Sequence, residues 1–296
     1  MKNRIIIDTD IGDDIDDIFA LLYCLCNPQF EIDLIIVSSG DNDYKAKLVA
    51  SILQELNMTH IKIAKGKNDK YGCLAQNNVI KKFGLTQYQG EIYDGVDYIL
   101  TKLLSKNHYD VFELGPSNEL ANYFKKHEEL KHQISLYFMG GSVFRGYIKK
   151  PEPCAEYNVL LSVDSSNYLF ENIEDITLLP VDCCYDLIID GSYYQKLLNS
   201  NNKAVELLKK HYFAWQSDYT GGARKFDINT SSSILFDYVV PLYYLRKDLF
   251  EVKNLNVRFT GDGKTVVIDG NRIKVVTKLI DKKEAQKEFV SKIRGD

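Results

Sequence analysis

A chain of 296 residues with 45% apolar side chains can bury a substantial core and lies near the upper range for one α/β domain, so a single domain over residues 1–296 is expected. Its net charge of −4, with basic residues spread along the chain, lacks the electrostatic footprint of a nucleic-acid binder. No run approaches the roughly 18 apolar residues of a membrane span, and the apolar run behind Met1-Lys2-Asn3-Arg4 is too short for a signal-peptide core, so the expectation is a cytoplasmic protein.

The first predicted element is the strand Arg4–Asp8. Six aspartates fall within ten residues here, Asp8, Asp10, Asp13, Asp14, Asp16 and Asp17, between the apolar run Ile5-Ile6-Ile7 and the apolar stretch from Ile18 to Leu25. Helix capping and the helix dipole account for about two of them. Asp8 and Asp10 sit at the strand end, before any helix begins. Like charges about 4 Å apart repel by roughly 4 kcal/mol at an effective dielectric near 20, so the cluster calls for a compensating cation. Oxygen ligands without His or Cys suit Ca²⁺ or Mg²⁺ rather than Zn²⁺.

Further strands are expected at Asp33–Ser38, Ile61–Ala64, Val111–Leu114, Ser135–Met139 and Ile176–Pro180, alternating with helical patterns at Ala46–Leu56, Ile92–Leu104 and Asn118–Phe124. This order implies βαβ units and a mostly parallel sheet covered on both faces, with sites in the loops after the strands. Those loops read Gly40-Asp41-Asn42-Asp43, Leu114-Gly115-Pro116-Ser117-Asn118 and Met139-Gly140-Gly141-Ser142. Later, Ala204 to Tyr219 reads as a helix with Trp215 and Tyr219 on one face, and a second helical stretch surrounds Ser233–Leu245. Asn256–Thr260, Thr265–Asp269 and Arg272–Leu279 suggest a small antiparallel meander turned at 261–263 and 269–271. The run Asp281-Lys282-Lys283-Glu284 reads as solvated surface. Six cysteines, at 24, 26, 73, 154, 183 and 184, contain no C-x-x-C pair and read as reduced thiols.

Asp8-Thr9-Asp10-Ile11-Gly12 with Asp16-Asp17 and an apolar helix resembles the signature of the inosine/uridine-preferring nucleoside hydrolases. Ser39-Gly40-Asp41, Tyr93-Asp94-Gly95, Leu114 to Asn118, Met139-Gly140-Gly141, the segment from Pro153 to Asn158, and Phe236-Asp237 extend the likeness over almost the whole chain. The resemblance implies a Rossmann-like α/β fold and cleavage of the N-glycosidic bond of ribonucleosides, through an oxocarbenium-like state. It also implies Ca²⁺ held by Asp10, Asp17, the carbonyl of Leu114 and Asp237, with Asp10 as general base toward the attacking water. Asp16, Asp41, Met139, Glu156 and Asn158 match the residues that grip the sugar, and Asp14 rivals Asp16. The family forms homodimers or homotetramers.

The chain departs from the family pattern in four places. The acidic loop is two residues longer than the family's shorter form, Asp41 stands where many relatives have Asn, and a further family Asn between Gly141 and Glu156 has no counterpart. Phe236 replaces the His that precedes the late aspartate and helps protonate the departing base. Stacking of the base on Phe236, with Tyr71, Trp215 or Tyr219 as a second platform, is the alternative; core packing of Phe236 beside Tyr238 is the other. Three rival functions follow: a haloacid-dehalogenase-like phosphatase, whose motif Gly12 does not fit; a ribose- or nucleoside-binding protein without catalysis; and a hydrolase of another N-ribosyl compound.

Overall fold

The computed structural model describes residues 3–72, 76–84, 87–148, 151–218 and 227–295. Nine strands form one sheet: β1 Asn3–Thr9, β2 Phe30–Val37, β3 Lys62–Lys65, β4 Ile92–Asp94, β5 Tyr109–Glu113, β6 Ile134–Met139, β7 Ile176–Leu179, β8 Phe250–Phe259 and β9 Thr265–Leu279. Their order across the sheet is β4-β3-β2-β1-β5-β6-β7-β9-β8, and all neighbours are parallel except β8 and β9. The fold is therefore the α/β architecture expected, a mostly parallel sheet with an antiparallel C-terminal pair.

Strand β1 is covered on both faces, which is why it reads as an unbroken apolar run rather than an alternating one. Ile5 and Ile7 pack into one layer with Phe19 and Phe289, and Ile6 into the other with Leu34, Val111 and Phe124. The helix Asp16–Cys26 is buried along all but its last residue. Its Phe19 and Tyr23 pack against Tyr212, Tyr238 and Phe289 from the last third of the chain. Consecutive strands run outward from β1 in opposite directions, through β2 on one side and β5 on the other. The connections leaving β1 and β5 lead to opposite halves of the sheet, which makes a crevice at the carboxyl ends of the strands.

Several boundaries differ from expectation. Residues 92–104 are not one helix: Ile92–Asp94 pairs with β3, Gly95 turns at φ 102, and the helix begins at Asp97. Residues 233–245 are helical only from Val239, because Ser232 binds the Ile189 backbone in both directions and keeps the chain extended. The expected turn at 269–271 lies inside β9, where the register steps from Ile268 opposite Asn256 to Ile273 opposite Leu255. The four residues between form a bulge, so the C-terminal unit is a hairpin. The run 281–284 opens the helix Lys282–Arg294, with Asp281 accepting from Glu284 N at 3.0 Å.

Candidate active site

The crevice holds a cavity of about 460 Å³ lined by Asp10, Asp13, Asp14, Asp16, Asp17, Leu114, Met139, Tyr147, Glu156, Tyr157, Asn158, Phe236 and Asp237. Strand β1 delivers Asp10, and the following loop folds back so that the helix Asp16–Cys26 starts with two acids facing the same space. Carboxylate oxygens of Asp16, Asp17 and Asp237 lie within 4.8 Å of one another, all buried. Asp237 N donates to Asp16 Oδ2 at 3.3 Å, and the Thr9 hydroxyl donates to Asp17 Oδ1. Burial first, then mutual repulsion, pushes the carboxyls of Asp16, Asp17 and Asp237 well above the usual range. Burial also pushes Asp10 up to about 7, against the pull of Lys45, and Asp14 up to about 6.

The other wall comes from β5, β6 and the loop after Pro153. Asn158 Nδ2 donates to the carbonyls of Leu114 at 2.9 Å and Met139 at 3.2 Å, tying the two strand ends together. Glu156 caps the short helix Tyr157–Leu160: its carboxylate accepts from Asn158 N, Val159 N and, across the loop, Gly141 N. Gly141 bends there at φ 75, a conformation that favours glycine. A side chain at Gly115 would lie 2.9 Å from Asp10 N, so glycine lets the β5 loop close on the acidic one. Phe236 faces the cavity, edge-on to Tyr147 at 5.5 Å, whereas Tyr238 is the core residue, packed on Tyr23 and Phe289.

Some expected site residues lie elsewhere. Asp41 is exposed and caps the helix Asn42–Glu55, accepting from Tyr44 N at 3.0 Å, outside the cavity lining. Trp215 is buried against Tyr212, and Tyr71 is exposed; neither lines the cavity, and Tyr219 lies outside the described residues. Tyr147 and Tyr157 are the aromatic residues that line the cavity with Phe236. Asp8 is buried in the sheet opposite Glu113 on β5, and burial raises both carboxyls. A larger hollow of about 690 Å³ lies beside β3 and β4, but its Lys65 is already paired with Asp43 and Asp94.

The sequence model of the inosine-uridine preferring nucleoside hydrolases matches residues 5–294. The chain belongs to that family. Family membership makes it an N-glycosyl hydrolase of the ribonucleoside hydrolase group. A pyrimidine-specific ribonucleoside hydrolase of Klebsiella pneumoniae is 24% identical over 238 residues, 75% of each chain. A probable ribonucleoside hydrolase of Dictyostelium discoideum is 20% identical over 121 residues, 40% of this chain and 35% of that protein. Among solved structures, a plant nucleoside hydrolase superposes with a TM-score of 0.82 at 14% identity over 100% of both chains. An inosine-guanosine nucleoside hydrolase gives 0.81 at 16% over 99% of both. These likenesses establish the shared fold.

A family cation fits the donor set found here. The cluster of Asp16, Asp17 and Asp237 offers buried, hard oxygen ligands within reach of one ion. Five residues in and around this nucleoside hydrolase cavity escaped sequence reasoning. Buried Lys45 contacts the acidic loop, and Gln76 braces that loop by donating through N to Gly12 O at 3.0 Å and through Nε2 to Asp14 O at 2.6 Å. Gln76 Oε1 lies 3.0 Å from His211 Nδ1, and burial lowers His211 to about 4, leaving the ring neutral. Asp182 fixes the loop after β6 by accepting from Val143 N and Phe144 N. Tyr147 is the fifth. Only the polar identity of Lys45 inside an otherwise apolar helix face offered a signal in sequence.

Proposed function

We propose that this chain hydrolyses the N-glycosidic bond of ribonucleosides in a Ca²⁺-dependent reaction, releasing ribose and free base, and that its 296 residues act as one domain. The observation that carries the reading is the convergence of Asp10, Asp16, Asp17 and Asp237 with Leu114, Met139, Glu156 and Asn158 in one cavity. Asp17 and Asp237 would hold the cation, with Asp10 and the Leu114 carbonyl on the same walls and Asp16 drawn into the cluster. A bound divalent ion supplies Lewis-acid charge that orients sugar hydroxyls and lowers the pKa of water.

Asp10 takes the proton of the attacking water as general base. The carboxylates beside the sugar stabilise the positive charge that grows on it as the base departs, without reorganisation cost. Asp16, with Asp14 as the nearest alternative, and the Met139, Glu156 and Asn158 wall bind ribose; Asn158 is fixed for this by its bonds to both strand ends. Seven carboxyl groups and no Lys or Arg line the cavity among the described residues, so a phosphate group would be repelled and a neutral nucleoside accepted.

Phe236 stands where His would assist the departing base, and its ring with Tyr147 forms an apolar platform in the cavity wall. Stacking a purine there compensates for the missing acid. Phe236→Ala should therefore lower kcat/KM more for inosine than for uridine, by about tenfold if stacking is worth near 1.4 kcal/mol. Equal losses on both substrates would argue against a stacking role.

The direct test is release of reducing sugar across a panel of purine, pyrimidine and nicotinamide ribosides, with and without a Ca²⁺ chelator. Activity abolished by chelation and restored by Ca²⁺ is expected. Binding of ribose with no base released from any riboside would instead support a non-catalytic homologue. From the same family likeness we infer a cytoplasmic dimer or tetramer; among the described residues no helix is long and apolar enough to cross a membrane.

A further inference from the structure

Lys45 lies in the first turn of the helix Asn42–Glu55, where a cation opposes the helix dipole, and its side chain is completely buried. Its place is therefore explained by what it meets. Nζ donates to the carbonyl of Asp10 at 2.7 Å and to that of Ser38 at 3.3 Å, and it lies 3.3 Å from Asp13 Oδ2. Two hydrogen bonds and one ion pair thus tie the ammonium to the loops that follow β1 and β2. The Asp10 carbonyl also accepts from Asp13 N at 3.4 Å, so its peptide is gripped from two sides. Just beyond Ser38, Ser39 sits at φ 64, a conformation non-glycine residues rarely adopt, which holds the second loop sharply bent beside the ammonium. Lys45 itself does not line the cavity.

We propose that Lys45 is a positioning residue, whose ammonium fixes the Asp10 peptide and the Asp13 carboxylate so that the Asp10 side chain stays aimed into the cavity before cation or nucleoside enters. The inference rests on the reading of the cavity as a Ca²⁺-dependent site. A rotation of the Asp10 peptide would swing its side chain away from the other acids. Hydrogen bonds from a buried ammonium to that peptide oppose the rotation, and its charge offsets repulsion within the loop.

A comparison of Asp13→Asn with Lys45→Met/Asp13→Asn isolates Lys45 without removing the ammonium from beside a charged Asp13. Measured are Tm without divalent cation, the Ca²⁺ concentration giving half the Tm rise, and kcat at saturating Ca²⁺. The double variant should need about tenfold more Ca²⁺ than Asp13→Asn and lose about tenfold in kcat, as removal of such supporting contacts does elsewhere, beyond any common change in cation-free Tm. Equal Ca²⁺ midpoints and equal kcat would overturn the proposal, as would a double variant that fails to fold where Asp13→Asn folds. Should Asp13→Asn itself not fold, Lys45→Arg is the second variant: charge is kept but the Nζ geometry is lost, and an unchanged Ca²⁺ midpoint would overturn the inference. An unaltered chain whose Tm ignores Ca²⁺ overturns the cavity reading and this inference together.

Discussion

Replacing Asp10 with Asn should lower kcat by about 10²–10⁴-fold, the contribution of a positioned general base, while leaving the cation-free Tm equal to or above that of the unaltered chain. The side chain is nearly isosteric, so the 460 Å³ cavity keeps its shape. What changes is the ability to accept a proton. The Asp10 carboxyl is buried and, without a cation, pushed up to about 7; a cation beside it would favour the ionised form that takes the proton. Neighbouring Asp13 and Glu156 oppose its charge, so a neutral amide relieves repulsion and does not weaken the fold. Steady-state kinetics on inosine and uridine at saturating Ca²⁺ separates the loss of the base from any loss of cation affinity. A kcat within about threefold of the unaltered chain would remove Asp10 from that role. A Tm lowered by many degrees would show that the carboxylate serves the loop instead.

The central architecture was legible because β1 and its neighbours carry strong, local signals. Ile5-Ile6-Ile7 followed by Asp8-Thr9-Asp10 announces a buried parallel strand and a polar loop at its carboxyl end, and the strand lies at the middle of the sheet as such a strand must. The helix Asn118–Phe124 was legible to the residue for the same reason. Where three residues carried an element, as in Ile92–Asp94, pairing with β3 decided its form, and no periodicity records that. The two strands of the C-terminal hairpin read as three because Asp269-Gly270-Asn271 has turn chemistry whether it turns a hairpin or fills a bulge.

Within the cavity, the motif residues after β1, β5 and β6 were readable, since each sits where the sheet delivers it. Tyr147, which lines the cavity, and Gln76 and Lys45, which hold the acidic loop from behind it, were not, because loops and helices bring them there through tertiary packing. Asp41 misled for a physical reason: an aspartate after a strand suits both a sugar contact and an N-cap, and here it caps. Trp215 and Tyr219 share a helix face by spacing, but the face holding Trp215 turns into the core against Tyr212. Spacing gave the stripe without giving its partner.

Without divalent cation, Tm should fall as pH rises from about 5 to 8, and Ca²⁺ should diminish or reverse that fall. Folding raises the carboxyls of Asp14 to about 6 and Asp10 to about 7, and pushes Asp16, Asp17 and Asp237 up as well, through burial before all else. An unfolded aspartate titrates near 3.9, so between these values the native chain holds protons that the unfolded chain has released. The stability these groups contribute is complete below about pH 4 and is lost as pH climbs through 6 and 7. One pKa unit corresponds to about 1.4 kcal/mol, and each kcal/mol moves Tm by about 2–4 °C in chains approaching this size, so the trend spans several degrees. Exposed pairs such as Lys264 with Asp262 work in the opposite direction only at more acid pH, since Asp262 is lowered to about 2 by its lysine. Ca²⁺ held by the ionised carboxylates would add about 2.7 kcal/mol at a hundred times its Kd, and the gain should grow with pH as the acids lose their protons. Thermal melts in chelator and in excess CaCl₂ across this range decide the matter. A chelator curve that stays flat or rises, or a Ca²⁺ increment equal at pH 5 and pH 8, would show that the buried aspartates are not ionising as a cation site must. Mg²⁺, which demands tighter octahedral geometry and sheds water reluctantly, should give the smaller increment at every pH.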